Sequence, residues 1–368
     1  MRETIRCKAD GNSINLNKLL TVLSVFSLLL LYSCSSSPVV PLFEYPPDWK
    51  NVSEREKTIA DYSKYLSGRK IFLDPGHGGE DRRNTNKKGD VVEADVNLRV
   101  ALNLKKYLEA AGARVFISRI KDTTVALGDR SVISNKSGAE IFISIHHNAP
   151  GKMEDDYTNY TSVYYHAKET DFEHEPCDRD IARYIERDLA YVMGNPGGLG
   201  SFDGTYSDYR IYPGEGFSVL RKKTIPGVLV ECAFHTSRLE ELRLNNEDFN
   251  QIQAWGIFRG FAKYLKAGIP EISILSDSLK SDNNNLRMSF IISDTAGVND
   301  KSIQVFINNE EKDFTFDKIS NLLTIKMEDV HPGIYPLRII AANKNGNHSF
   351  PFRKKIVVSD SLGVNITD

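Results

Sequence analysis

Two imidazoles and two carboxylates along this sequence stand where they could act together on a hydrolysable bond. His77 lies in Asp74-Pro75-Gly76-His77-Gly78-Gly79, a loop with three glycines directly after the apolar run Ile71-Phe72-Leu73. Glu93 follows at the start of a helical pattern. His146 closes the apolar run Ile141–Ile145, and Glu231 closes Val228-Leu229-Val230. In open α/β sheets, ligands bind at the carboxyl ends of the strands. Three strand ends and one helix start can therefore converge on one rim. Two imidazoles and a carboxylate with an open fourth position are a catalytic zinc arrangement, and a spare carboxylate suits a general base. Taken singly the signals are weak, since a loop histidine is usually solvated and a glutamate at a helix start simply complements the dipole. Glu231 weighs more. It ends a strand that must be buried, where an unpaired carboxylate is costly, and a metal site would supply the charge it needs.

The elements that must position these groups follow from periodicity. Val96, Val100, Leu104 and Leu108 recur every fourth residue, giving a helix with one apolar face that Gly112 stops. Val115-Phe116-Ile117 reads as the next strand and Leu127–Ser137 as a helix. A strand at Val163-Tyr164-Tyr165, a helix over Asp180–Met193 and a helix over Asp248–Leu265 complete the pattern. Strands alternating with helices predict an α/β domain, a twisted, mostly parallel sheet flanked by helices, over residues 69–268. Past Pro270 the character changes to short runs rich in Ile, Val, Phe and Leu, with turn signals at Asn308-Asn309, Pro332-Gly333 and Asn345-Gly346. Residues 270–360 are therefore expected to form an all-β, immunoglobulin-like sandwich. Tyr335 and Phe352 are its candidate contacts for a protein or glycan partner, although core positions are the preferred reading for both.

With 368 residues, 26% charged and a net charge of −2, the chain is neither disordered nor a broad nucleic-acid-binding surface, which would need clustered Lys and Arg. Four cysteines are too few for a disulfide scaffold. Cys177 and Cys232 are expected as free, buried thiols. The first 33 residues read as a secretory signal, with a basic start and an apolar stretch, Leu19–Tyr32, too short to span a bilayer. Leu31-Tyr32-Ser33-Cys34 resembles the lipobox of bacterial lipoproteins, although Tyr32 stands where a small residue is usual. On that reading Cys34 carries the lipid that holds the chain to a membrane. Ser35 resembles the residue of lipoproteins sent to the outer membrane, facing the periplasm. Residues 34–68 would be a tether, rich in proline up to Pro47, followed by a short helix.

Residues 70–266 resemble the zinc-dependent N-acetylmuramoyl-L-alanine amidases of the cell-wall amidase type 3 family. The matching pieces are Leu73–Gly79, Glu93 with Asn97-Leu98, Ser144-Ile145-His146 with Asn148-Ala149, Gly216-Phe217 with Val219-Leu220-Arg221, and Pro226 with Val228–Glu231. The resemblance implies that His77, Glu93 and His146 bind one zinc ion and that Glu231 is the catalytic carboxylate. The reaction it implies is cleavage of the amide between the lactyl group of N-acetylmuramic acid and L-alanine in peptidoglycan. His147, Asn148 and Arg221 are weaker candidates for substrate binding or support of the ligands. After the glutamate the sequence departs from the family, with Cys232–Ser237 where Gly-Phe-Leu-Ser-Asn is common. His235 there reads as a polar loop residue. Between His146 and Glu231 no long apolar helix suggests a plug, so activity without an activator is expected. The competing readings are a related zinc exopeptidase acting on peptides and a non-catalytic wall-binding adaptor.

Overall fold

The computed structural model describes residues 41–368, apart from residues 153, 169, 199–202, 276–279, 283–284 and 360–362. The expected signal segment and the candidate lipidation site Cys34 lie outside the described residues. From Phe43 onward the chain forms one compact unit. Its first part is a six-stranded sheet of β1 (Lys70–Pro75), β2 (Arg114–Ile117), β3 (Ile141–Asn148), β4 (Ser162–Tyr165), β5 (Thr205–Ser207) and β6 (Gly227–Phe234), ordered β2-β1-β3-β6-β4-β5. The first four in that order are mutually parallel, and β4 runs antiparallel to β6. The longer helices are α1 (Val52–Leu66), α2 (Glu93–Ala110), α3 (Leu127–Lys136), α4 (Pro176–Met193) and α5 (Glu247–Lys266), with single turns at Pro47–Lys50, Ser218–Arg221 and Glu241–Leu244. Val96, Val100, Leu104 and Leu108 of α2 are all buried in the core with Ile71, Leu73, Ile143 and Val230. This is the apolar stripe that periodicity predicts.

Two boundaries differ from the sequence reading. Helix α4 begins at Pro176 rather than Asp180, because proline is preorganised for the first helical position, where its missing N–H costs nothing. The tether also ends earlier than its prolines suggest. Phe43 and Tyr45 pack on the core and Trp49 is buried in it. The Trp49 indole donates to Tyr107 Oη at 2.8 Å, and Tyr45 Oη donates to Asp248 at 2.9 Å. Burying three aromatic rings outweighs the extended preference of the intervening prolines.

The C-terminal part consists of two antiparallel sheets, with strands ordered β11-β10-β14-β15-β16 and β12-β13-β9-β7, and β8 paired to β9. The ranges are β7 (Glu271–Ile274), β8 (Lys280–Asp282), β9 (Asn285–Ser293), β10 (Val298–Ile307), β11 (Glu310–Glu311), β12 (Phe314–Asp317), β13 (Leu322–Met327), β14 (Gly333–Asn343), β15 (Phe352–Val358) and β16 (Val364–Thr367). Met288, Phe290, Val305, Ile325, Ile339 and Ile356 share one buried core. Tyr335 and Phe352 pack against that core instead of standing free. The β part is fastened to the α/β part by polar groups. Arg338 donates to the carbonyls of Phe172 and His174. Arg353 pairs with Glu175 at 2.6 Å, and Asn347 donates to Tyr264 O and Gly268 O.

Candidate active site

The strand ends and the start of α2 do meet. His77 and Glu93 approach to 3.2 Å (Nε2 to Oε2), and His146 and Glu93 to 3.1 Å (Nδ1 to Oε1). One ligand atom from each of the three lies within 4.8 Å of the others. Among the described residues no other set of three His, Cys, Asp or Glu side chains does so. Glu231 joins them through strand register. His146 on β3 is the parallel partner of Glu231 on β6, and partners on neighbouring parallel strands present their side chains to the same face. Cys232, one residue on, enters the opposite core, as alternation requires. Both Cys177 and Cys232 are free and buried.

The loop around His77 is strained for a purpose the geometry makes plain. His77 itself has φ +59°, a left-handed conformation uncommon outside glycine. Gly78 and Gly79 continue at positive φ. Two buried arginines hold this turn by its carbonyls. Arg119 donates to Pro75 O and Gly76 O, and Arg130 donates to Pro75 O and His77 O. Arg130 also pairs with the fully buried Asp74 at 2.7 Å, whose other oxygen accepts from Ser144 Oγ. Arg130→Met leaves the Asp74 carboxylate buried without its charge partner, so unfolding by denaturant should show a loss of about 3–5 kcal/mol. A variant as stable as the parent would contradict this reading of the pair.

Charge within the cluster is mutually supported. Burial resists the charged form of His77, but its pairing with Glu93 and with Asp81, 2.7 Å from Nδ1, outweighs that and raises its pKa to about 9. Glu93, only 2% exposed, is likewise penalised by burial. His146 and His77 nevertheless hold it well below the usual carboxylate range. Asn84 donates to its Oε2 at 2.8 Å, while Asn97 Nδ2 and the His147 backbone N–H each donate to Oε1 at 3.1 Å. The bond to Asp81 engages His77 Nδ1 and turns Nε2 toward Glu93, as metal-binding histidines are commonly held from behind. Glu231 is different. One of its oxygens is buried without a hydrogen-bond partner, and burial followed by the Glu93 charge drives its pKa well above the ordinary range. An orphaned carboxylate beside a neutralised His-Glu-His set fits a bound divalent cation, which would draw Glu231 back toward its ionised form.

The remaining sequence candidates also line this cleft, in less central roles. Asn148 accepts from the Ala149 N–H, and Arg221 bonds the Glu215 carbonyl at 2.6 Å. His147 is buried behind the cluster. His235 stands in a turn, the polar loop residue that the sequence suggests, but it is buried. It is 2% exposed, directly follows β6, and its Nδ1 lies 2.8 Å from the His147 carbonyl. Sequence reasoning missed Asn84, Asp81, Arg119 and Arg130. Only Asn97 carried a signal, since its i,i+4 spacing from Glu93 puts both on one helical face. None of the described residues between 150 and 211 lines the cleft. Helix α4 instead buries Ile181, Ile185 and Leu189 in the core.

A mostly parallel α/β sheet carries at its rim a His-Glu-His set with the spacing to hold a cation, beside an unpartnered carboxylate oxygen. The chain belongs to the N-acetylmuramoyl-L-alanine amidase family, whose sequence signature matches residues 71–263. It is 31% identical over 218 residues to the germination-specific N-acetylmuramoyl-L-alanine amidase of Bacillus subtilis, a match covering 55% of this chain and 83% of that one. To the probable cell wall amidase LytH of Staphylococcus aureus it is 29% identical over 213 residues, 57% of this chain and 64% of the relative. Among solved structures, the amidase AmiC2 of Nostoc punctiforme matches with 28% identity and a TM-score of 0.46, covering 54% of this chain and 99% of that one.

Proposed function

We propose that the chain hydrolyses the amide joining the lactyl group of N-acetylmuramic acid to L-alanine of the stem peptide, with one Zn²⁺ held by His77, Glu93 and His146. The observation that carries this reading is the orphaned Glu231 carboxylate, in register beside His146 on the rim of the cleft. When bound, zinc supplies Lewis acidity, bringing the pKa of a coordinated water to about 7 and polarising an amide carbonyl. Glu231 accepts a proton as water oxygen attacks the lactyl carbonyl carbon. It returns that proton to the alanine nitrogen as the carbon–nitrogen bond breaks, so the products are a lactyl carboxylate and a free amine. Asp81 holds the His77 ring from behind, and Asn84 and Asn97 hold the Glu93 carboxylate in place. The test is digestion of purified sacculi by the isolated chain with its metal content measured in parallel. The expected result is release of stem peptides with L-alanine at the amino end, about one zinc per chain, and no added activator. Release of single amino acids from peptides, or no release at all, would refute it.

The location of the activity rests on the sequence of the N-terminus. We read Cys34 as a lipidated residue holding the enzyme at the outer membrane, facing the periplasm, with peptidoglycan as its substrate. Cys34→Ala should move the chain from the membrane fraction to the soluble one, and a variant that still sediments with membranes would sink the assignment.

A further inference from the structure

Behind the His-Glu-His cluster a continuous line of polar side chains, all but the first buried, leads in to Glu93. It starts on the outer side of α2, where Arg99 Nε lies 2.5 Å from Asn250 Oδ1. Asn250 Nδ2 faces Gln253 Oε1 at 3.3 Å, and Gln253 Nε2 faces His147 Nε2 at 2.9 Å. His147 Nδ1 then meets Asn97 Oδ1 at 2.8 Å, and Asn97 Nδ2 ends the line on Glu93 Oε1 at 3.1 Å. Asn250, Gln253 and Asn97 are fully buried and His147 is 1% exposed, so water cannot substitute for a missing partner.

Both ends dictate the same direction. A guanidinium can only donate, which turns Asn250 Oδ1 toward Arg99 and its amide nitrogen toward Gln253. Gln253 must then accept through Oε1 and donate through Nε2. From the other end, Asn97 Nδ2 also lies 3.3 Å from the Gly76 carbonyl. A carbonyl and a carboxylate can only accept, so Asn97 presents its oxygen to His147. The imidazole is left one consistent state: neutral, with its proton on Nδ1 and its lone pair on Nε2. A neutral ring also matters electrostatically, because an imidazolium next to His146 would repel a cation in the cluster.

Resting on the metal-site reading above, we propose that Arg99, Asn250, Gln253 and His147 are positioning residues for the Glu93 ligand. They form a one-way hydrogen-bond chain that holds His147 as its Nδ1–H tautomer and, through Asn97, sets the angle of Glu93. Conserving the proton polarity of the chain, rather than its volume, is what keeps the cation tightly bound.

Gln253→Glu tests this because it preserves size while replacing the donor to His147 with an acceptor. In the full-length chain labelled with ¹⁵N-histidine, long-range proton–nitrogen spectra near neutral pH should report neutral His147 protonated at Nδ1. In Q253E they should report an Nε2 proton, alone or as imidazolium. Zinc affinity measured by chelator competition should fall about 10–100-fold. The wild-type spectrum decides the tautomer even if Q253E folds poorly. An Nε2–H or charged His147 in the wild type, or a folded Q253E that binds zinc as tightly as the parent, would overturn the chain. If E231Q abolishes turnover while Q253E is unaffected, only this inference fails. A wild-type protein that binds no divalent cation sinks both.

Discussion

Glu231→Gln is expected to lower kcat on a muropeptide by about 10²–10⁴-fold while leaving zinc content at the wild-type level. The glutamine occupies the same volume on β6 and cannot take a proton. No hydrogen bond depends on the Glu231 oxygen that is buried without a partner. Burial and the Glu93 charge already disfavour its ionised form, so an amide there removes a penalty. Thermal stability should stay level or rise, the pattern expected when a strained functional group is neutralised. Steady-state kinetics, metal analysis and a thermal melt on the same preparation separate the outcomes. Turnover close to wild type would eliminate Glu231 as the base. Loss of zinc together with turnover would mark it as a ligand.

The second large effect concerns a residue with no chemistry of its own. Gly76→Ala should strip most of the metal and the activity from the protein. A methyl group on Gly76 would stand 2.1 Å from His146 Cε1 and 2.3 Å from its Nε2, far inside contact distance. The backbone there is not in the left-handed region, so alanine is acceptable to the chain but not to the imidazole above it. His146 must swing out of the cluster, and the fold around it need not change. Gly128 in α3 provides the matched control, because nothing lies within 4 Å of an added methyl there. Gly128→Ala should keep full metal content and gain about 0.4–1 kcal/mol. A G76A protein that retains stoichiometric zinc would show that His146 is not held where the structure has it.

Much of the site was legible from sequence because its chemistry is concentrated at strand ends. His77 after Ile71–Leu73, His146 after Ile141–Ile145 and Glu231 after Val228–Val230 each interrupt an apolar run that has only one buried interpretation. Helix α2 was equally legible, since its four buried residues repeat at the helical period. Where the reading failed, distant partners were responsible. Pro46 is extended as the prolines suggest, but Pro47 opens a short helix over Pro47–Lys50, and Tyr107 and the core aromatics bury Trp49. His235 is the loop residue it looks like, but only the fold shows its turn buried against His147. The line from Arg99 to Glu93 crosses residues 93–99, 147 and 250–253, and nothing local to any of them announces the others.

The amino-acid order alone determined which side chains could do hydrolytic work, where the long helices and the central strands fall, and that an α/β part precedes an all-β one. Those properties depend on neighbours within a few residues, where periodicity and backbone preference act. Which residues touch was decided only by tertiary structure. The strand order and the pairing of His146 with Glu231 follow from how whole apolar faces pack, and the direction of the hydrogen-bond chain follows from a guanidinium donor at one end and buried acceptors at the other. Both are agreements among segments far apart in the chain, reached when water is excluded and every polar group must find a partner.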